Sequence, residues 1–190
     1  AGAKDVRMIH EPMAAAIGIG IDVLDANGNM VIDIGGGTSE IAVIALGGIT
    51  TSTSVKVAGD RFNSDIIDYM RKTHNIAIGV ATAEQIKINV GSALEDIENP
   101  PAEYEVYGRD LVRGIPVAVK VSHREIAQAL DRSIALIETA VNNALEKTPP
   151  ELSADIYKTG IYLAGGGSLL RGLGKRIARK TNPKVHNVSN

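Results

Sequence analysis

Two runs of three consecutive glycines are the strongest chemical signal in this sequence. Each follows a predicted buried strand and precedes a hydroxyl residue: Gly35, Gly36 and Gly37 lead to Thr38, and Gly165, Gly166 and Gly167 lead to Ser168. Without a Cβ, glycine adopts backbone conformations closed to other residues and lets main-chain amides approach an anion closely. The second run is predicted to open a helix, whose N-terminal amides also favour anions. Either run alone could be a tight structural turn, but together they favour a nucleotide held from two sides.

Two acidic residues are candidates for chemistry beside these runs. Asp33 lies at the end of the strand before the first run, where its carboxylate can hold Mg²⁺ directly or through water. The alternative is a solvated aspartate beside a glycine-rich hairpin. Glu11 precedes Pro12 at a predicted helix start, where it would orient or activate a water for attack on a γ-phosphate. A carboxylate there is also explained by its favourable interaction with the helix dipole.

A third candidate is the pair Glu84 and Lys87, which lie three residues apart on a predicted helix and therefore share a face. The carboxylate can accept hydrogen bonds from ribose hydroxyls while the lysine side chain covers adenine. A solvent-exposed ion pair is the simpler explanation of the same spacing. Neither a Walker P-loop nor a G-x-G-x-x-G motif occurs, and the four histidines are scattered without metal-binding spacing.

The composition argues against several classes of function. The chain has 190 residues, a net charge of −2, no cysteine and 3% aromatic residues. The lack of cysteine excludes disulfides, thiolate metal sites and a cysteine nucleophile, and it fits a reducing cytosol. A charge near zero and scarce aromatics predict no nucleic-acid partner. The longest weakly polar run, Met13–Ile21, is too short to span a bilayer. Since the sequence begins at Ala1 without Met, we expect a piece of a longer protein.

Hydrophobic periodicity predicts alternating strands and helices. The predicted strands are Val6–Ile9, Met30–Ile34, Glu40–Leu46, Ile49–Val57, Tyr104–Tyr107, Val117–Val121, Ile161–Ala164 and Lys184–Val188. Gly47-Gly48 is predicted to be a two-residue hairpin turn. The predicted helices are 13–20, one from Gly59, two behind capping boxes at Thr82/Gln85 and Ser122/Glu125, and one from Leu169. Gly91 is predicted to close the third of these helices, and Pro149-Pro150 to stop the fourth.

These elements predict an α/β fold in three parts. Residues 1–20 would form a strand and a linking helix, and residues 21–57 with 121–190 would form a core sheet with helices against it. Residues 58–120 interrupt this pattern, so we predict that they form an inserted small α+β subdomain.

In its motifs, the chain resembles the actin, sugar-kinase and heat-shock-chaperone ATPase superfamily. The motifs are Glu11-Pro12-Met13-Ala14-Ala15-Ala16-Ile17-Gly18, Asp33-Ile34-Gly35-Gly36-Gly37-Thr38, Gly59-Asp60-Arg61-Phe62 and Gly165-Gly166-Gly167-Ser168-Leu169-Leu170-Arg171. Together with Pro149-Pro150-Glu151-Leu152, they are most similar to the MreB family of bacterial actin homologues, over essentially the whole chain. The resemblance implies one half of an actin-like, ribonuclease H-like ATPase fold. In it, the core corresponds to subdomain IIA and the insertion to subdomain IIB.

The resemblance also implies roles for single residues, with ATP or ADP and Mg²⁺ as cofactors. The second phosphate loop would be Gly35, Gly36, Gly37 and Thr38, with Asp33 near the metal. The adenosine motif would be Gly165, Gly166 and Gly167. Glu84 and Lys87 would touch ribose and adenine, and Glu11 would position the attacking water. The family's first phosphate loop, an Asp-x-Gly-Thr hairpin, is lacking here. We therefore expect this chain alone to bind ATP weakly and to hydrolyse it poorly.

For the intact protein, the resemblance implies ATP-dependent filaments at the inner face of the cytoplasmic membrane that control cell shape and cell-wall synthesis. The implied partners are further protomers, a RodZ-like membrane adaptor and cell-wall elongation proteins. Membrane contact would come from the half that this sequence lacks.

Other members of the superfamily are alternatives: a chaperone ATPase domain, a plasmid-segregation filament or a sugar kinase. A kinase needs a sugar-binding aspartate that is not evident, and a chaperone needs an insertion longer than roughly 60 residues. A third, non-enzymatic hypothesis is a docking module for a partner.

Overall fold

The computed structural model describes residues 2, 4–6 and 8–188. Its strands are β1 (Asn29–Ile34), β2 (Ser39–Ala45), β3 (Gly48–Val55), β4 (Ile76–Ala77), β5 (Tyr104–Asp110), β6 (Pro116–Val121), β7 (Ile161–Ala164) and β8 (Val185–Asn187). Its α-helices are α1 (Glu11–Gly18), α2 (Gly59–His74), α3 (Val80–Val90), α4 (His123–Glu146), α5 (Pro150–Thr159) and α6 (Leu173–Thr181), and Gly166–Leu169 forms a 3₁₀ turn.

A five-stranded mixed sheet in the order β3-β2-β1-β7-β8 forms the larger part of the fold. The strands β1, β2 and β3 pair antiparallel, whereas β7 pairs parallel with β1 and β8 pairs parallel with β7. The central strand β1 is buried along nearly its whole length, as expected for a strand covered on both faces. The predicted α/β class and the strands of this sheet are confirmed.

The two faces of the sheet have different coverings because successive side chains on a strand point to opposite faces. Met30, Ile32 and Ile34 belong to the main core, which also contains the apolar stripe of α4. Val31 belongs to a smaller cluster on the other face, where Ala16 of α1 is buried. The main core therefore lies between the sheet and α4, and α1 covers the opposite face.

The start of α4 is confirmed as a capping box. The Ser122 side chain accepts a hydrogen bond from the Glu125 amide, and the Glu125 carboxylate accepts one from the Ser122 amide at 2.8 Å. These two bonds satisfy backbone donors that a helix N-terminus otherwise leaves unpaired. The longest helix of the chain is thus fixed at the point where the chain returns from β6.

A second, three-stranded antiparallel sheet, β4-β5-β6, forms with α2 and α3 within the range predicted to be inserted. Phe62 on α2, Ile86 on α3 and Val106 on β5 are buried and belong to the same hydrophobic cluster as β1 and α4. The two sheets therefore share one continuous core, and the proposed division at residues 58–120 stays a prediction.

A buried ion pair ties α6 to α4. The Arg176 side chain donates through Nε to Glu138 Oε1 at 3.0 Å, and only 14% and 7% of the two side chains are exposed. Nη1 of Arg176 also donates to the carbonyl oxygen of Ala93 at 3.1 Å. Since a buried charge is stable only when it is paired and hydrogen-bonded, this arginine fixes the segment after α3 against the core.

Several predicted boundaries are wrong. The hairpin turn is Leu46-Gly47, both with positive φ, because β3 already begins at Gly48. Helix α3 begins at Val80 after Gly79, so Thr82 lies inside the helix and no capping box forms there. Gly91 follows the last residue of α3 as predicted, but its φ is −61° and not positive. Glycine is required there because a Cβ would collide with the carbonyl oxygen of Lys87.

The structure differs from the predictions in two further places. Pro149-Pro150 stops α4, but Pro150 also starts α5, which the sequence analysis did not predict; proline is favourable at a first helical position. No strand forms at the described residues Val6, Met8 and Ile9, which lie exposed without a neighbouring strand, and Arg7 lies outside the described residues. Among the described helices, none combines the length and apolarity needed to cross a bilayer.

Candidate functional site

The pairing of β1 with β7 brings the two glycine runs together. Asp33 on β1 is in register with Ala164 on β7, and the two strands run parallel. Gly35 and Gly165 therefore leave the same edge of the sheet from neighbouring strands. Ligands in open α/β sheets bind at such carboxyl-terminal edges.

The first run forms an open loop between β1 and β2. The amide of Gly35 donates to the carbonyl oxygen of Thr38 at 3.0 Å, and within the described residues the amides of Gly36 and Gly37 donate to no backbone acceptor. None of these glycines has a positive φ, so the expectation that they need conformations closed to other residues is wrong. A Cβ on Gly37 would meet no heavy atom within 4 Å. Free space beside Gly37, together with two amides that have no backbone partner among the described residues, fits a phosphate.

The second run is built differently and does not open an α-helix. Gly165 has φ +80°, and a Cβ there would collide with Asp33 Oδ1; a Cβ on Gly167 would collide with the Ile34 side chain. The run continues into a single 3₁₀ turn, and α6 starts only at Leu173. Gly165 and Gly167 pack closely against β1. The run therefore does not form the helix N-terminus that was expected.

Ser168 takes part in that turn. Its side chain is buried, and its hydroxyl donates to the carbonyl oxygen of Gly165 at 2.7 Å. This hydrogen bond stabilises the loop, and a contact between Ser168 and a nucleotide stays a prediction. A Cβ on Gly166 would meet nothing within 4 Å, which leaves this middle glycine open.

The first turn of α2 packs against the first glycine run. The amides of Gly59 and Asp60 donate to the carbonyl oxygens of Gly35 at 3.1 Å and Gly36 at 2.8 Å. The Asp60 carboxylate lies 3.6 Å from the position that a Cβ of Gly36 would take. The loop is therefore held by residues of the segment 58–120, which was predicted to be an insertion.

Glu84 and Lys87 form the predicted ion pair on α3, with Nζ 2.8 Å from Oε2. Lys87 also donates to the carbonyl oxygen of Gly59 at 3.2 Å, and Asn63 on α2 donates to Glu84 Oε2 at 2.8 Å. Hydrogen bonds from Lys87, and then from Asn63, hold the pKa of Glu84 below its ordinary value. The pair is therefore attached to α2 and is not merely a solvated surface contact.

A cavity of about 240 Å³ lies between α3 and the second glycine run. Phe62, Ile88, Gly166 and Leu169 contribute to its lining, together with two charged residues, Lys87 and Arg171. A larger cavity of about 680 Å³ lies around Arg176 between α4 and α6, and no predicted site residue lines it. The smaller cavity is the one with the shape and surroundings for a base beside the glycine runs.

Asp33 lies at the centre of an acidic region. Burial raises the pKa of Asp33, and the negative charges of Glu11 and of its cross-strand partner Glu40 raise it further. Glu11 itself is exposed in the first turn of α1. Repulsion of this kind is relieved by a cation, so the donor set fits Mg²⁺. In the part of the chain that the structure describes, no three acidic or histidine side chains cluster to hold a metal by themselves.

Sequence patterns did not identify Phe62, Asn63, Ile88 and Leu169 as residues of this region. Their positions depend on how α2 and α3 pack, which periodicity does not specify. The motif Gly59-Asp60-Arg61-Phe62 was noted as a family signal, and it is the one feature that pointed to this turn of α2.

Comparison with known proteins gives consistent matches over the whole chain. The family described as MreB/Mbl protein matches residues 1–190. Cell shape-determining protein MreB of Escherichia coli (strain K12) is 49% identical over 185 residues, which cover 97% of this chain and 53% of that protein. Cell shape-determining protein Mbl of Bacillus subtilis (strain 168) is 45% identical over 184 residues, with coverage of 97% and 55%.

A solved structure agrees with this match. The crystal structure of MreB5 of Spiroplasma citri bound to ADP has a TM-score of 0.95 and 40% identity, covering 99% of this chain and 56% of that one. The chain thus spans about half the length of the relatives it matches.

Proposed function

Because the chain belongs to the MreB/Mbl family, we propose that it forms one wall of an ATP- or ADP-binding site in an actin-like protein. The observation that carries this proposal is the register of Asp33 with Ala164, which sets both glycine runs at one edge of the sheet. The similarity to MreB5, a protein crystallised with ADP, supports the choice of ligand. Membership of the family also disfavours the chaperone and sugar-kinase alternatives.

In this proposal, the amides of Gly36 and Gly37 bind phosphate oxygens. Among the described residues neither amide has a backbone acceptor, neither glycine has a positive φ, and no atom lies closer than 3.6 Å to the position of a Cβ on either. A loop whose glycines the fold itself does not need is best explained by a ligand that comes close to the backbone. The first turn of α2 holds this loop through the carbonyl oxygens, which leaves the amide face free.

The base would occupy the cavity of about 240 Å³ beside Gly166, with the Lys87 stem along one side. Glu84, one helical turn before Lys87, would accept a hydrogen bond from the ribose. Asp33 would hold Mg²⁺ directly or through water, since its burial and acidic neighbours favour a bound cation. Mg²⁺ would neutralise phosphate charge, and Glu11 would orient the attacking water.

For the protein that carries this chain, we propose self-assembly into nucleotide-dependent filaments that control cell shape. The support is the family and the names of its members, cell shape-determining proteins MreB and Mbl. A RodZ-like adaptor, cell-wall elongation proteins and a location at the inner face of the cell membrane belong to the same proposal. Sedimentation of the product of the complete open reading frame, with ATP against ADP, tests the assembly: nucleotide-independent sedimentation would contradict it.

The phosphate loop is tested by Gly37→Val in the complete open reading frame. A valine there has free space in the protein, so we expect normal folding and a loss of ATP and ADP affinity of at least about tenfold. Gly79→Val is the matched control, because Gly79 also has free space for a Cβ and extended backbone but lies at the start of α3. Unchanged nucleotide affinity in Gly37→Val, measured by fluorescence titration, would reject the phosphate loop.

A further inference from the structure

Asn63 is a buried polar residue that the proposed nucleotide site does not yet explain. It lies in the first turns of α2, next to Phe62, and 4% of it is exposed. Asparagine is rarely buried to this degree unless all its polar atoms are hydrogen-bonded. In the described part of the chain, however, its Oδ1 atom is buried without any hydrogen-bond partner.

The orientation of the Asn63 amide follows from its neighbour. Nδ2 donates to Glu84 Oε2 at 2.8 Å. Turning the amide over would place Oδ1 against the carboxylate, so that two acceptors would face each other. The bond to Glu84 therefore leaves Oδ1 unpaired, which costs stability that an apolar residue of the same size would not cost.

The hydrogen bond from Asn63 also determines which carboxylate oxygen of Glu84 remains free. Lys87 Nζ donates to the same atom, Oε2, at 2.8 Å. An ionised carboxylate oxygen offers about two lone-pair positions, so Oε2 is fully used by these two donors. The Glu84 side chain remains 41% exposed, and neither bond uses Oε1. A ligand hydroxyl that reaches this carboxylate must therefore donate to Oε1.

We propose that Asn63 is a positioning residue that holds the Glu84 carboxylate so that Oε1 accepts a hydrogen bond from a ribose hydroxyl, and thereby sets the preference for ribonucleotides over deoxyribonucleotides. This inference rests on the proposed nucleotide site. Asn63 acts through Glu84 and contacts no ligand itself. Its buried, unpaired Oδ1 is the structural cost of fixing the carboxylate from the α2 side.

The test compares the affinities of ATP, 2′-deoxy-ATP and 3′-deoxy-ATP for the product of the complete open reading frame. We expect the unaltered protein to prefer ATP over at least one deoxy analogue by about tenfold or more, as a hydrogen bond to a charged group gives. Asn63→Leu should bring that preference close to one while leaving the affinity for the deoxy analogue nearly unchanged. Its Tm should equal or exceed that of the unaltered protein, because the unpaired oxygen is removed.

A double-mutant cycle separates positioning from general loosening of the site. In a Glu84→Ala background, Asn63→Leu should have no further effect on the preference, since the group through which it acts is gone. Asn89→Leu is the matched control: this amide lies on α3 and donates to the backbone oxygen of Gln85. Asn63→Ala is the second variant if Asn63→Leu does not fold.

Two results would overturn the inference alone. One is an unchanged ribose preference in a folded Asn63 variant that still binds ATP. The other is equal weakening of all three nucleotides, which a purely structural role predicts. Failure of the unaltered protein to bind any of the nucleotides would instead reject the proposed site, and the inference with it.

Discussion

Gly165 packs against the Asp33 carboxylate with no room for a Cβ between them. Gly165 also has φ +80°, a conformation that L-residues rarely adopt. Both the close packing and the positive φ require glycine at position 165, where the second glycine run leaves β7. The contact joins the two halves of the candidate site.

We expect Gly165→Ala to lower the free energy of unfolding by about 1–3 kcal/mol, from the positive φ, with the collision at Asp33 adding to it. For a chain of this size, each kcal/mol lowers Tm by about 2–4 °C. Gly166→Ala is the control, because a Cβ there meets open space. Equal Tm values for the two variants would contradict the packing described here.

Asp33→Asn should raise the Tm of the chain at neutral pH. Burial, and then the charges of Glu11 and Glu40, raise the pKa of Asp33, so the folded state binds the proton more tightly than the unfolded state. Ionisation of Asp33 therefore lowers stability as the pH rises from the ordinary carboxyl value through the raised pKa. The gain from Asp33→Asn should be present at pH 7 and vanish at a pH below the ordinary value. Thermal unfolding across this range, without Mg²⁺, measures it; a gain that persists at low pH would refute this cause.

Ser122→Ala should lower the free energy of unfolding by about 1 kcal/mol, through loss of the capping box at α4. Burial alone would raise the pKa of Glu125, but hydrogen bonds from Ser122 and His74 outweigh it and hold that pKa below its ordinary value. The contribution of Glu125 is therefore present above the ordinary carboxyl pKa and is lost as the pH falls through the lowered value. Ser64→Ala, at an exposed position on α2, is the control and should change stability little. A larger effect in the control than in Ser122→Ala would exclude the cap as the cause.

Glu11→Ala, in the complete open reading frame, should slow ATP hydrolysis by roughly a hundredfold while ATP affinity stays near that of the unaltered protein. The reason is that a residue which orients water acts on the chemical step and not on binding. Glu151→Ala is the control, because Glu151 is likewise an acidic residue next to a proline in the first turn of a helix. A large loss of affinity in Glu11→Ala would contradict the role in positioning water.

The elements with strong local signals were predictable from the sequence. Short apolar runs identified β1 and β7, and the spacing of Ser122 and Glu125 identified the start of α4. The α/β pattern predicted that β1 and β7 belong to one sheet, but their direct pairing was not predicted. Local patterns do not specify which distant strands become neighbours.

The interior of the candidate site was less predictable for a physical reason. Phe62 and Ile88 line the small cavity because of how α2 and α3 cross, and Asn63 meets Glu84 for the same reason. Helix α5 was missed because a proline that stops one helix can also begin the next, and sequence spacing does not distinguish the two. The different roles of the two glycine runs, one open and one packed, required the positions of neighbouring side chains.

The register of Asp33 with Ala164 also bears on how the protein folds. These partners are about 130 residues apart in the chain, so closing the sheet carries the entropy cost of a long loop. Pairings of such high contact order form slowly. During synthesis, the first glycine run and its hairpin leave the ribosome long before β7 exists. The shared edge at which the two runs lie therefore forms late, and a nascent chain halted before residue 161 lacks it altogether.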